Sequence, residues 1–177
     1  MNPMIAAQPA VPRLSRAEIR RRWLAMIDDP LLADVPGKLE LNEKGSIELT
    51  PSNTRHSLFQ AFIARELGNR LAEGTTLTEC SIETGIGVRV PDVAWASPEF
   101  MRRHGLATPL PGAPEICIEV LSPSNADVEM RDKVAAYLAA GAREVWLVAE
   151  DGTVGIRDEN GARSSSAFGI EIELPRS

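Results

Sequence analysis

The chain has 177 residues, 44% of them hydrophobic and 25% charged, the balance of a folded globular protein rather than a disordered one. Its net charge of −6 argues against non-specific coating of nucleic acid, which needs a basic surface, yet leaves room for an acidic metal cleft. No apolar run approaches the roughly 20 residues of a membrane helix, and no apolar stretch with a cleavage site follows Met1, so a cytoplasmic protein is expected.

Residues 1–12 are small, apolar and punctuated by Pro, and are expected to be loosely ordered. Ser15 followed by Glu18 is a capping-box pattern, which predicts a helix over Arg16–Ile27 ended by Asp29-Pro30. Arg13, Arg16, Arg20, Arg21 and Arg22 cluster here; they suit either phosphate contacts or a solvated helix face. Residues 1–35 are read as an N-terminal arm and helix, and 36–177 as one domain.

Lys38 to Leu49 has the alternation of a hairpin, with Glu43-Lys44-Gly45 as its turn. Pro51-Ser52-Asn53-Thr54 offers N-caps for a helix whose Phe59, Phe62, Ile63, Leu67 and Leu71 recur at helical spacing, with Gly74 expected to stop it. Two strands, Thr76–Thr84 and Val88–Ala96, are expected around Gly85-Ile86-Gly87. The Pro- and Gly-rich stretch from Ser97 to Pro114 is read as loop, with a helical turn near Glu99–His104. Ile116–Leu121, apolar on both faces, fits a central strand. A helix over Asp127–Ala140 closed by Gly141, a strand over Glu144–Ala149, and short edge strands at Thr153–Arg157 and Ile170–Leu174 complete the chain. The fold class expected is mixed α/β, a central mixed sheet flanked by helices.

Chemistry concentrates between Pro91 and Tyr137. Asp92 follows a proline at the start of one strand, and Glu119 sits in the middle of Ile116-Cys117-Ile118-Glu119-Val120-Leu121. A buried carboxylate is costly unless a cation or hydrogen bonds compensate. If the two strands are neighbours, both carboxylates converge on one ion, and hard cations such as Mg²⁺ take oxygen ligands. The Val120 carbonyl is a further candidate ligand. Lys133 shares the core-facing side of its helix with Met130 and Tyr137, and Glu119 is its expected partner. Beside a metal-bound water its ammonium would hold or polarise the nucleophile. The same residues also suit a buried ion pair without catalytic role.

Accessory candidates are His56, at the cleft rim or tucked against Phe59 and Ile63, and Glu48, with Glu83 a weaker choice. Cys80 and Cys117 belong to no C-x-x-C pair and read as reduced core thiols. The chain lacks P-loop, G-x-G-x-x-G, H-E-x-x-H and G-x-S-x-G motifs.

The series Val90-Pro91-Asp92-Val93-Ala94, Ile118-Glu119-Val120-Leu121-Ser122-Pro123-Ser124-Asn125, Lys133-x-x-x-Tyr137-x-x-x-Gly141 and Glu144-Val145-Trp146-Leu147-Val148 resembles the Uma-type restriction endonuclease family of the PD-(D/E)XK nuclease superfamily. The resemblance runs from about Leu39 to Leu174 and takes in His56. It implies a restriction-endonuclease-like core, Mg²⁺ dependence (with Mn²⁺ as a substitute) and phosphodiester hydrolysis, with Asp92 and Glu119 as metal ligands. Where the superfamily pattern places lysine two residues after the acid, this chain has Leu121, and the resemblance implies that Lys133 supplies the amine from the helix. Glu129 and Ala149 are two further departures, in places where relatives resemble an aspartate and an acid, and neither is expected to disable the metal site.

The leading expectation is a Mg²⁺-dependent DNA endonuclease with catalytic Asp92, Glu119 and Lys133 and accessory Tyr137, working as a homodimer because a duplex has two strands to cut. Its rivals are a binding or regulatory module that keeps the nuclease fold without turnover, and a hydrolase of smaller phosphodiesters.

Overall fold

The computed structural model describes residues 12–51, 53–122 and 127–175. The expectation for residues 1–12 lies almost wholly outside that range, as does the Pro123-Ser124-Asn125 part of the motif series.

Helix α1 (Arg16–Ile27) starts on the expected capping box: Ser15 Oγ accepts the Glu18 N–H at 3.3 Å, and Glu18 Oε2 accepts the Ser15 N–H at 2.9 Å. Its Ile19, Trp23 and Met26 bury one stripe against Leu41, Val88 and Val90. The hairpin follows as β1 (Lys38–Asn42) and β2 (Ile47–Thr50), paired from Lys38↔Thr50 to Leu41↔Ile47. Side chains alternate across a strand, so Leu39 and Leu41 turn to α1 while Lys38 and Glu40 turn the other way. Both charged residues are nevertheless buried.

Helix α2 (Thr54–Arg70) is capped by Asn53, whose Oδ1 accepts the His56 N–H at 2.9 Å. It ends at Arg70 with Leu71 as C-cap, before Gly74. That glycine has a packing role instead: a Cβ there would lie 2.4 Å from the Trp95 ring.

The two long strands expected next are each broken in half. The outer halves, β3 (Thr75–Thr78) and β6 (Val93–Ala96), pair in one sheet, and the inner halves, β4 (Ile82–Thr84) and β5 (Gly87–Arg89), pair in another. The crease has a local cause. Glu79 takes φ 51°, a left-handed conformation uncommon outside glycine, and on the facing strand Pro91 has no N–H for a ladder. Gly87 is required where β5 meets β1, since a Cβ there would sit 1.9 Å from the Leu41 carbonyl oxygen.

After α3 (Pro98–His104) come β7 (Ile116–Val120), α4 (Asp127–Ala139) and β8 (Glu144–Val148), with β7 and β8 parallel as a strand–helix–strand unit requires. β9 (Val154–Asp158) and β10 (Gly161–Arg163) close the edge. The result is a four-stranded antiparallel sheet, β2-β1-β5-β4, and a six-stranded mixed sheet, β10-β9-β8-β7-β6-β3. β7 is central, as its two apolar faces predicted. Ile170–Leu174 is not a strand: Ile170, Ile172 and Leu174 pack into the core from an extended segment, and the edge strand is β10.

The six-stranded sheet has two different faces. Phe59, Ile63 and Leu67 of α2 cover Val93, Trp95, Ile116, Ile118, Val120 and Trp146. On the other side Cys117, Tyr137, Ala142 and Val145 pack together, and Glu119 shares that face with Cys117. Among the described residues, no helix is long and apolar enough to cross a membrane.

Candidate active site

Asp92 lies at the crease between the sheets, one residue before β6. The β6–β7 register runs Val93↔Ile118 and Ala94↔Cys117, so one step further along Asp92 stands opposite Glu119. This is how two acids distant in sequence become neighbours. The Asp92 carbonyl is pinned from two sides, by Gln60 Nε2 at 3.1 Å and by the Glu79 N–H at 3.3 Å. The side chains of Asp92 and Glu119 are 1% and 4% exposed, so each needs compensation.

That compensation comes chiefly from a residue the sequence reading did not single out. Lys38 Nζ donates to Asp92 Oδ1 at 2.6 Å and to Glu119 Oε2 at 2.9 Å, bridging the two carboxylates. The other oxygens are also engaged. Asp92 Oδ2 accepts the Val120 N–H at 2.6 Å, and Glu119 Oε1 accepts the Tyr137 hydroxyl at 2.7 Å.

Lys133 points into the same cluster from α4, but its nearer partner differs from the one expected. Its Nζ is 2.8 Å from Glu40 Oε2 and 3.5 Å from Glu119 Oε1. Glu40 is the second residue missed. Besides Lys133 it accepts the Val90 N–H at 2.7 Å and lies 3.5 Å from Arg89 Nη1. Arg89 also binds Glu48, whose Oε1 accepts from Asn42 at 3.0 Å. Glu48 therefore joins the far end of a chain of charges and does not touch Asp92 or Glu119. Glu83 bonds Arg20 at 2.7 Å, away from the cluster. His56 Nε2 lies 3.0 Å from Asp92 Oδ2 without hydrogen-bond alignment, which leaves a buried ring nitrogen unpartnered.

The proton equilibria follow from this arrangement. Burial and the Glu119 charge push the Asp92 carboxyl up to about 7, against the opposing pull of Lys38. Burial would raise Glu119 too, but the charges of Lys38 and Lys133 and the bonds from Lys38 and Tyr137 outweigh it and hold its pKa low. Burial disfavours the Lys38 charge, yet Glu119, Asp92 and Glu40 more than offset this and raise its pKa. Burial and nearby Lys38 lower His56, keeping its imidazole neutral at pH 7. Burial raises Tyr137, which stays a neutral donor.

Two clefts reach the cluster. One, of about 540 Å³, is lined by Lys38, Trp23, Leu39, Glu79, Cys80 and Val90 among others. The other, of about 500 Å³, is lined by Glu40, Lys133 and Arg89 together with Glu129 and Asp132.

The donor set fits a hard divalent cation in kind. Two carboxylate oxygens reach one common point, and the unpartnered His56 nitrogen lies beside Asp92. Among the described residues no three His, Cys, Asp or Glu side chains are gathered so as to hold a metal ion, so a metal would rest on the acid pair, and the common point holds the Lys38 ammonium.

The frame is thus a four-stranded and a six-stranded sheet with a strand–helix–strand unit, and an acid–acid–lysine cluster buried where the two sheets part. The chain belongs to the family described as "Uma2: Putative restriction endonuclease", whose profile matches residues 30–165. Among solved structures it is similar to the "putative nuclease belonging to DUF820" from Anabaena variabilis, with 19% identity, a TM-score of 0.66, and coverage of 80% of this chain and 90% of that one. At that identity the likeness speaks for the fold. A search of curated proteins finds no match.

Proposed function

We propose that this chain is a Mg²⁺-dependent endonuclease that hydrolyses DNA phosphodiester bonds. The observation that carries the reading is the convergence of Asp92 Oδ1 and Glu119 Oε2 on one cation position, 2.6 and 2.9 Å from the nitrogen now there. Asp92 and Glu119 would hold the metal, with the Val120 carbonyl as a third oxygen. When bound, Mg²⁺ supplies Lewis-acid polarisation of the phosphate and a more acidic water.

The protein's own groups do the rest. Lys133, fixed by Glu40, presents its ammonium 3.5 Å from Glu119 Oε1 and orients a water for in-line attack. Tyr137 keeps Glu119 in its rotamer. Val120 N–H fixes the Asp92 carboxylate from behind. A homodimer belongs to the same reading, because two copies bring one site to each strand, and the cytoplasm is its compartment.

The test is cleavage of plasmid DNA with Mg²⁺ by the wild type, Asp92→Ala and Lys133→Ala. Nicking by the wild type alone is expected. Equal activity in all three would trace the cleavage to a contaminant and end the mechanism.

One observation favours a second reading, a nuclease-fold binding module without turnover. Lys38 bridges both acids and Lys133 lies beside Glu119, so the cluster stands as an ion-pair network without a metal. Calorimetry with Mn²⁺ separates the two, since binding that depends on Asp92 belongs only to the enzyme reading.

A further inference from the structure

Lys38 occupies a place that the nuclease reading assigns to a metal. Its ammonium holds the same two oxygens, Asp92 Oδ1 and Glu119 Oε2, that would have to turn toward a divalent ion. The other oxygens are each turned to a different partner, Asp92 Oδ2 to the Val120 N–H and Glu119 Oε1 to Tyr137, so the two that Lys38 holds are the pair that converges on a single point. A Mg²⁺ ion sits about 2.0–2.1 Å from its oxygens, so ion and ammonium would overlap at one point as well as repel. The side chain has somewhere to go: Lys38 also lines the neighbouring cleft of about 540 Å³.

We infer that Lys38 is a resident counter-cation that a divalent metal must displace. It keeps the two acids assembled in the metal-free protein and lowers the affinity of the site for metal. A swing of Lys38 from the acid pair into the neighbouring cleft accompanies loading. The inference rests on the assignment of Asp92 and Glu119 as metal ligands.

Two measurements test it without reading activity. Mn²⁺ binding, followed by electron paramagnetic resonance of the free ion, is compared in wild type, Lys38→Met, Lys38→Gln and Asp92→Asn. Both Lys38 variants are expected to bind at least about tenfold tighter than wild type, and Asp92→Asn to lose binding. In parallel, lysine acylation of the wild-type protein is mapped by mass spectrometry with and without Mn²⁺. Lys38, 8% exposed, is expected to resist the reagent without metal and to react at least about tenfold faster at saturating Mn²⁺. This second measurement decides the matter if the variants fail to fold.

Unchanged or weaker Mn²⁺ affinity in folded Lys38 variants overturns displacement. So does a Lys38 that stays unreactive when the wild type is loaded. In either case Asp92-dependent binding in the wild type would leave the nuclease reading standing. No Asp92-dependent binding in any protein overturns both.

Discussion

The two faces of the six-stranded sheet have opposite chemistry over the same strands. Toward α2 the sheet presents Val93, Ile116, Ile118 and Val120 to Phe59, Ile63 and Leu67, all buried and all apolar. Toward α4 the same β7 presents Cys117 and Glu119, and the helix answers with Lys133 and Tyr137. Because strand side chains alternate, one strand builds both. The α2 face stabilises by area removed from water and tolerates changes of shape that conserve volume. The α4 face holds its charges only as a matched set, so deleting one member leaves others buried without a partner.

That contrast is broken first at Glu119. Replacing it with Ala takes a partner from Lys38, Lys133 and Tyr137 at once, and is expected to lower unfolding free energy by about 3–5 kcal/mol. Ile63→Ala on the opposite face is expected to lower it by about 2–5 kcal/mol through the cavity it leaves. Urea unfolding would place the two variants close together. Mn²⁺ calorimetry would part them, with binding lost in the first and kept within a factor of about two in the second. Equal Mn²⁺ binding in both would remove the distinction between the faces.

Glu40→Gln sharpens the comparison within the charged face. Glu40 lies 2.8 Å from Lys133 Nζ and accepts the Val90 N–H at 2.7 Å, which in the proposed mechanism makes it a positioning residue. Its loss is expected to slow plasmid nicking by about 10–100-fold, while Mn²⁺ affinity moves far less than in Asp92→Asn. A fall in Mn²⁺ affinity as large as that of Asp92→Asn would make Glu40 a ligand instead.

Much of this molecule was readable before any coordinates. Helix α1 follows from its capping box, α2 and α4 from helical spacing and their end signals, and β7 and β8 from continuous apolar runs, and Asp92, Glu119 and Lys133 stood out as charges in apolar surroundings. Resemblance to a family added the expectation that the lysine comes from a helix.

Lys38 and Glu40 stayed hidden because Lys38-Leu39-Glu40-Leu41 has the alternation of a hairpin with one wet face. Nothing local to that segment tells that its charged face is covered by α4 and the crease of the other sheet. The only available signal was two opposite charges on one strand face, near enough in sequence to point the same way. The division of each long strand between two sheets was hidden for a related reason. Apolar residues recur on both sides of each break, and only their phase changes, from Leu77 to Ile82 and from Val90 to Val93; the switch is made by Glu79 in a left-handed turn and by Pro91. Ile170, Ile172 and Leu174 mislead in the opposite direction, since a period of two describes an extended segment packed on a core whether or not a ladder partner exists.

Gly74→Ala tests the apolar face from the side of overpacking. The new methyl would meet the Trp95 ring at 2.4 Å, and a shift of that ring is expected to cost about 1–3 kcal/mol. Trp95 Nε1 donates to the Leu71 carbonyl at 3.0 Å, so the same shift should appear as a change in tryptophan fluorescence. Unaltered fluorescence with wild-type stability would show that the α2 edge has slack there.

The smallest effect expected is at Asn53, the N-cap of α2. Its Oδ1 caps α2 through the His56 N–H, and that helix carries the apolar stripe as well as the imidazole beside Asp92. Asn53→Ala should cost about 1 kcal/mol of stability, the ordinary value of an N-cap, seen as a small shift of the urea midpoint. Because Val120 and Tyr137 hold the two acids independently of His56, Mn²⁺ affinity should stay within a factor of about two of wild type. A loss of Mn²⁺ binding far beyond that would mean the helix start, through His56, is part of what shapes the acid pair, and the charged face would then depend on the apolar one.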